Sequence, residues 1–183
     1  MAKAALFIID GFEETEAVVT ADLLRRANVD LKIVSLNEDV DVEGAVNGKH
    51  GITVLADEVF ENIIYEDFDM LIIPGGTTKY MEHDGLVGLV GKYHKEGKKL
   101  AAICAAPAVF GKAKILDGYR ATIYPDMEEY LGQGAIHSTD DVVTDRNITT
   151  SRGPATAMKF GLCLVEILQG PEVAANVAKH FLL

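Results

Sequence analysis

The chain of 183 residues is short of positive charge, short of cysteine and free of any long apolar run. Lys and Arg number 17 against 28 Asp and Glu, a formal net charge of -11. Nucleic acid and anionic membranes are met through a basic face, so this balance argues against both as partners. The N-terminal stretch MAKAALFIID carries one early lysine and is closed by Asp10. It is too short for a signal segment with its cleavage site and far too short to cross a bilayer. No later stretch reaches transmembrane length, and a cytoplasmic location is expected. The two cysteines, Cys104 and Cys163, are too few and too far apart for a disulfide framework or a thiolate metal site, so both are expected as reduced thiols. The five histidines show no ligand spacing. Neither a dinucleotide fingerprint nor a phosphate loop is present. The expectation is therefore no metal and no cofactor. Asn147-Ile148-Thr149 matches the glycosylation sequon, which without a secretory signal is read as coincidence.

What is present is the balance of one soluble globular domain over residues 1–183, with 49% hydrophobic and 25% charged residues. Short apolar runs alternate with longer amphipathic ones. Ala4 to Ile9, Leu31 to Leu36, Met70 to Ile73 and Lys99 to Ile103 read as strands buried on both faces. Glu13 to Arg26, Leu86 to Lys95 and Ala105 to Gly111 read as the helices between and after them. Ala45 to Leu55 alternates around Asn47-Gly48 and reads as a hairpin-like excursion. Arg120 to Ile123 is expected as a short strand and Asp126 to Leu131 as a short helix. Asp141 to Asp145 and Asn147 to Thr150 form a strand pair joined at Asp145-Arg146. Pro154 to Leu168 is a helix opened by Ser151 and stopped by Gly170, with a last helix over Pro171 to Leu182. Strand–helix alternation of this kind implies a mostly parallel sheet with helices on both faces, which binds ligands outside the carboxyl ends of its strands. Three features fall at such ends: Asp10 to Glu16, Pro74-Gly75-Gly76, and Cys104.

In Ala101-Ala102-Ile103-Cys104-Ala105-Ala106-Pro107 an apolar strand runs straight into a helix, with only small residues after the cysteine. That is what a strained nucleophile elbow requires. A helix N-terminus beside the sulfur would lower its pKa, and the Ala105 N–H is placed to serve an oxyanion hole. On this context alone a catalytic thiol and a small buried core cysteine stand level. Cys163 lies mid-helix beside Leu162 and Leu164 and reads as core. Gly75 and Gly76 would let backbone N–H groups face a ligand, although a plain turn explains them as well. Glu13, Glu14 and Glu16 open the first helix, where carboxylates complement the dipole. One of them turned inward against the sulfur would have its pKa raised, but spacing does not say which. His83, His94 and His180 read as surface residues, with His50 in the excursion and His137 in a Gly-rich connection.

Asp10-Gly-Phe-Glu-Glu-Thr-Glu16, Ile73-Pro-Gly-Gly76, Ala101-Ala-Ile-Cys-Ala-Ala-Pro107 and Thr150-Ser-Arg-Gly-Pro154 resemble the ThiJ/PfpI superfamily over almost the whole chain. The resemblance is to the branch of the Parkinson-disease-associated protein deglycase and its bacterial relatives. It implies a flavodoxin-like three-layer α/β sandwich, usually a homodimer. It implies Cys104 as nucleophile and oxidation-sensitive thiol, Glu16 as the protonated partner of the sulfur, and Gly76 and Ala105 as oxyanion donors. Gly75, Tyr124 and Pro154 are candidate substrate contacts. The implied activity is cofactor-free glyoxalase or deglycase chemistry on small-molecule 2-oxoaldehydes or glycated substrates, with a redox-sensor or stress-chaperone role for the same thiol as the alternative. A peptidase or amidase role is disfavoured, because Ala105 stands where that branch has histidine. Two further departures are Tyr124 before Pro125, in place of a histidine, and His50, in place of an arginine.

Overall fold

The computed structural model describes residues 1–37 and 44–183. In chain order the elements are β1 (Lys3–Ile8), α1 (Glu14–Arg26), β2 (Asp30–Ser35), β3 (Ala45–Asn47), β4 (Thr53–Leu55), β5 (Glu58–Val59), β6 (Met70–Ile73), α2 (Asp84–Lys95), β7 (Lys99–Ile103), α3 (Pro107–Lys112), β8 (Arg120–Ala121), β9 (Ile136–His137), β10 (Val142–Asp145), β11 (Ile148–Ser151), α4 (Ala157–Gln169) and α5 (Pro171–His180).

Seven strands form the main sheet in the order β10-β11-β7-β6-β1-β2-β5. All pairings are parallel except β10 with β11, the hairpin through Asp145-Arg146-Asn147. The central strands are apolar along their length because helices cover both faces: Ala4 to Ile8, Met70 to Ile73 and Leu100 to Ile103 are all buried. The β1-α1-β2 crossover progresses toward one edge of the sheet and β6-α2-β7 toward the other. Right-handed crossovers in opposite directions put α1 and α2 on opposite faces. The α4 helix packs on α1, and α5 packs on α4. The order reverses between β1 and β6, and there the crevice at the carboxyl ends of the strands opens. Among the described residues no helix is long and apolar enough to cross a membrane.

The hairpin β3–β4 stands outside the main sheet. Its tip is stitched to the loop after β1: Gly11 N–H donates to Asn47 O at 2.8 Å and Lys49 N–H to Phe12 O at 2.9 Å.

Several sequence expectations change in detail. The segment Arg120 to Ile123 keeps strand geometry only over Arg120–Ala121 and pairs with β9, apart from the main sheet. The reason lies in the next N–H groups. Thr122 N–H goes to Thr150 Oγ1 (2.9 Å) and Tyr124 N–H to Cys104 O (2.9 Å), so the backbone leaves the ladder. The short helix over 126–131 is a 3₁₀ turn at Glu128–Leu131. Pro154 likewise opens a 3₁₀ turn before α4 begins at Ala157, and Ser151 ends β11, bonding Thr156 Oγ1 and Asp141 O. The edge strand β5 was not expected; two residues are too few to show a period. Cys163 is only half-buried, with its sulfur 3.6 Å from Thr144 Oγ1. His83 and His94 are also half-buried. The His83 ring lies against Phe60 and accepts from Leu86 N–H, and His94 meets Tyr119 edge-on.

Candidate active site

The elbow at Cys104 is present as backbone strain. Cys104 has φ +63°, a left-handed conformation that a side chain with a Cβ rarely adopts. The surroundings hold it there from both sides: its N–H donates to Ser151 O and its carbonyl accepts from Tyr124 N–H, each at 2.9 Å. The flanking Ala105 and Ala106 are buried, and only small side chains fit. The helix does not begin at Ala105 as expected. Residues 104–106 form the turn, Ala106 N–H closes it on Ile103 O at 3.1 Å, and α3 starts at Pro107 and runs six residues.

The run Glu13-Glu14-Thr15-Glu16 divides into three jobs. Glu13 caps α1, its Oε2 accepting from Glu16 N–H at 2.7 Å. Glu14 turns to the hairpin and accepts from the His50 N–H (2.6 Å) and the Ile52 N–H (3.4 Å), with the His50 ring nitrogen Nδ1 at 2.9 Å. Burial works to raise the Glu14 pKa, and these bonds override it, holding it at about 2. Glu16 turns inward. It is fully buried, its Oε2 accepts from Gly75 N–H at 2.6 Å, and its carboxyl meets the Cys104 thiol. Its Oε1 finds no N–H or O–H donor.

Gly75 and Gly76 complete the centre. Gly75 O accepts from Glu13 N–H at 2.9 Å, which locks the loop after β6 to the start of α1. A Cβ on Gly75 would lie 2.6 Å from the Cys104 Cβ and 2.9 Å from Glu16 Oε2. Gly76 has φ +96°, and a Cβ there would lie 2.3 Å from Glu13 N. The backbone N–H groups of Ala105 and Gly76 reach the Cys104 sulfur.

The electrostatics correct one expectation. Burial pushes the Cys104 thiol up to about 12, the Glu16 carboxylate adds to that rise, and the Ala105 and Gly76 N–H groups only partly oppose it. A thiol depressed by a helix N-terminus is not what the fold builds: the turn at 104–106 displaces α3, and desolvation dominates. Burial also raises Glu16, from 4.5 to about 7, against the Gly75 N–H that lowers it. Two like charges cannot both be held in this enclosure, so near neutral pH the pair keeps at least one proton.

A cleft of about 610 Å³ opens on the sulfur. Its lining includes the predicted Cys104, Gly76, Ala105, Tyr124 and Pro154. Gly75 and Glu16 lie behind that surface, against the sulfur. Lys49, Thr77, Thr78 and Met127 also line it and were not singled out from the sequence. Thr77 and Thr78 directly follow the Gly75-Gly76 pair, which was the signal available. Lys49 is brought in by the hairpin, and local pattern holds no sign of that. His137 does not line the cleft. His50 does, with its ring committed to Glu14. Among the described residues no histidine backs the sulfur in the manner of a Cys–His protease.

The model of the DJ-1/PfpI family matches residues 2–167. The chain belongs to this family. The chain is 37% identical to protein dj-1beta of Drosophila melanogaster, over 100% of this chain and 98% of that one. The crystal structure of Drosophila melanogaster DJ-1beta superposes with a TM-score of 0.92 at 34% identity, covering 100% and 98% of the two chains. A deglycase of Pyrococcus abyssi is 31% identical over 91% of this chain and 99% of its own. A glutathione-independent glyoxalase of Caenorhabditis elegans is 30% identical over 99% and 97%. The fold is thus the flavodoxin-like α/β sandwich of DJ-1 proteins, with the strained cysteine at its switch point.

Proposed function

We propose that this DJ-1/PfpI protein is a cofactor-free glyoxalase- or deglycase-type enzyme acting on 2-oxoaldehydes or early glycation adducts. The observation that carries the reading is the buried pairing of the Cys104 thiol with the Glu16 carboxyl at the floor of an open cleft. Relatives named deglycase and glutathione-independent glyoxalase support it. The Cys104 thiol passes its proton to Glu16 as the sulfur adds to the aldehyde carbon, forming a hemithioacetal. The Ala105 and Gly76 N–H groups, beside the sulfur, face the oxyanion. Glu16 hands the thiol proton to the oxyanion, completing the hemithioacetal, and, ionised again, removes the hydrogen of the former aldehyde carbon. A proton is returned to the neighbouring carbonyl carbon and the hydroxyl proton moves to that carbon's oxygen. The first carbon is oxidised to a thioester and the second reduced to an alcohol. Water cleaves the thioester, releasing a 2-hydroxy acid and restoring the thiol. Net addition of one water needs no external oxidant or reductant.

A carboxyl with a pKa of about 7 can serve as both acid and base near neutrality. Glu16→Gln is expected to lower kcat for methylglyoxal, assayed without glutathione, by roughly a hundredfold to ten-thousandfold. It should also flatten the limb of the pH–rate profile near pH 7. Full activity in this variant would remove Glu16 from the chemistry. The same shift sets a stability trend. Below about pH 4.5 the carboxyl is protonated in both folded and unfolded chains. Between 4.5 and about 7 the folded protein keeps a proton that the unfolded chain has lost, so stability declines as pH rises across that window. Glu16→Gln should remove that decline, as read by melting temperature against pH.

A second reading rests on the same sulfur. The Ala105 and Gly76 N–H groups at Cys104, with a protonated Glu16 beside it, are donors suited to a sulfinate. Peroxide would transfer one oxygen per equivalent, each step releasing water. Intact-mass measurement under mild peroxide should show addition of two oxygens at Cys104 before any change at Cys163. Preferential oxidation of Cys163 would end this reading.

A further inference from the structure

One lysine, Lys49, is among the described residues that line the cleft. Lys49 is exposed at the tip of the β3–β4 hairpin, and among the described residues its ammonium has no ion pair or hydrogen bond. The other fixed charge on the lining, Glu13, is buried and caps α1. The hairpin tip does not swing freely. Lys49 N–H is bound to Phe12 O, and the following residues, His50 and Ile52, are both held by Glu14. The Lys49 charge also reaches the reaction centre, where it lowers the pKa of Glu16. The cleft, at about 610 Å³, is of the size that encloses ligands well beyond a three-carbon aldehyde. The lining also carries the hydroxyl-bearing residues Thr77, Thr78 and Tyr124. A substrate seated with its aldehyde carbon on Cys104 therefore has room for a tail, in a cleft with hydroxyl groups and, at the hairpin tip, the Lys49 ammonium.

We propose, resting on the aldehyde reading above, that Lys49 makes the enzyme selective for 2-oxoaldehydes whose tail ends in an anionic group, carboxylate or phosphate. Lys49 binds the tail and takes no part in the proton transfers. The comparison is between dioxovalerate, a 2-oxoaldehyde ending in a carboxylate, and methylglyoxal, which has no charged tail. Wild type should favour dioxovalerate in kcat/KM. In Lys49→Gln the ratio of the two kcat/KM values should fall about tenfold, through KM for dioxovalerate. Lys49→Glu should reverse the preference. The ratio isolates the tail, because any effect of Lys49 on Glu16 acts on both aldehydes alike. An unchanged ratio overturns the proposal. Hydroxypyruvaldehyde phosphate in the same assay separates a phosphate-selective site from a carboxylate-selective one. Binding of levulinate, the matching ketone carboxylate without an aldehyde, is followed by NMR titration of wild type and Lys49→Gln. Weaker binding by the variant supports the site even if neither aldehyde is turned over, a result that would count against the aldehyde reading alone. Equal binding overturns the site whatever the turnover shows.

Discussion

Cys104→Ala protein is expected to turn over no measurable methylglyoxal, a loss of at least about a thousandfold, while melting within a few degrees of wild type. The two halves of that expectation have different causes. The activity falls because the hemithioacetal and the thioester of the proposed route both need the sulfur. Glu16 sits behind the sulfur and not on the cleft lining, and the backbone N–H groups can only stabilise an addition that has already happened. The fold survives because alanine bears the same positive φ as cysteine, and the bonds holding the elbow, Cys104 N–H to Ser151 O and Tyr124 N–H to Cys104 O, are made by backbone. Removing the sulfur also removes a hydrogen-bond partner that favours the ionised Glu16, so that carboxyl is expected to titrate higher in the alanine protein. Turnover and thermal melting of the same preparation check both halves. Wild-type turnover in the alanine protein would sink the proposed chemistry.

The largest stability effect is expected at Gly76. In Gly76→Ala the new methyl group would stand 2.3 Å from Glu13 N and 2.5 Å from both Gly11 O and Phe12 C. These are backbone atoms of the loop that joins β1 to α1, and Glu13 N–H is already committed to Gly75 O. They cannot yield as the end of a flexible side chain would. To that overlap is added the cost of a φ of +96° for a residue with a Cβ. Together these should destabilise the protein by roughly 3–5 kcal/mol, which for a chain of this size lowers the melting temperature by about 10 °C. Activity should fall further than the loss of folded protein explains, because the Gly76 N–H beside the sulfur moves with the loop. Chemical denaturation alongside turnover corrected for folded fraction separates the two effects. A loss below about 1 kcal/mol would mean that the loop relaxes freely and does not hold the centre rigid.

Much of this was legible in the chain. Continuous apolar runs of strand length, each followed by an amphipathic stretch, imply a covered parallel sheet, because only a strand buried on both faces loses its polar alternation. The elbow was legible because its requirement is local: a strand, one nucleophile, then side chains small enough for the turn. The same holds for Gly75 and Gly76, and for the acidic opening of α1.

Other features depended on distant neighbours. Local spacing leaves Glu13, Glu14 and Glu16 equivalent at the head of a helix. Their roles separate because Gly75 N–H lies beside Glu16 and the hairpin tip beside Glu14. The short reach of β8 follows from Thr150 and Cys104 competing for its next N–H groups. The direction of the Cys104 shift depends on distant neighbours too: a helix N-terminus can be read locally, but desolvation is set by everything packed around the sulfur. Lys49 enters the cleft only through the hairpin, across residues that share no pattern with the elbow.

By itself, the sequence determined that this protein folds as a helix-covered parallel sheet with a small-residue elbow at Cys104, since strand burial and turn sterics are written into neighbouring residues. Tertiary structure alone decided which carboxyl meets the sulfur, that burial raises both pKa values, and that the hairpin brings Lys49 to the cleft. Those are properties of distance and dielectric, which exist only once the chain has closed on itself.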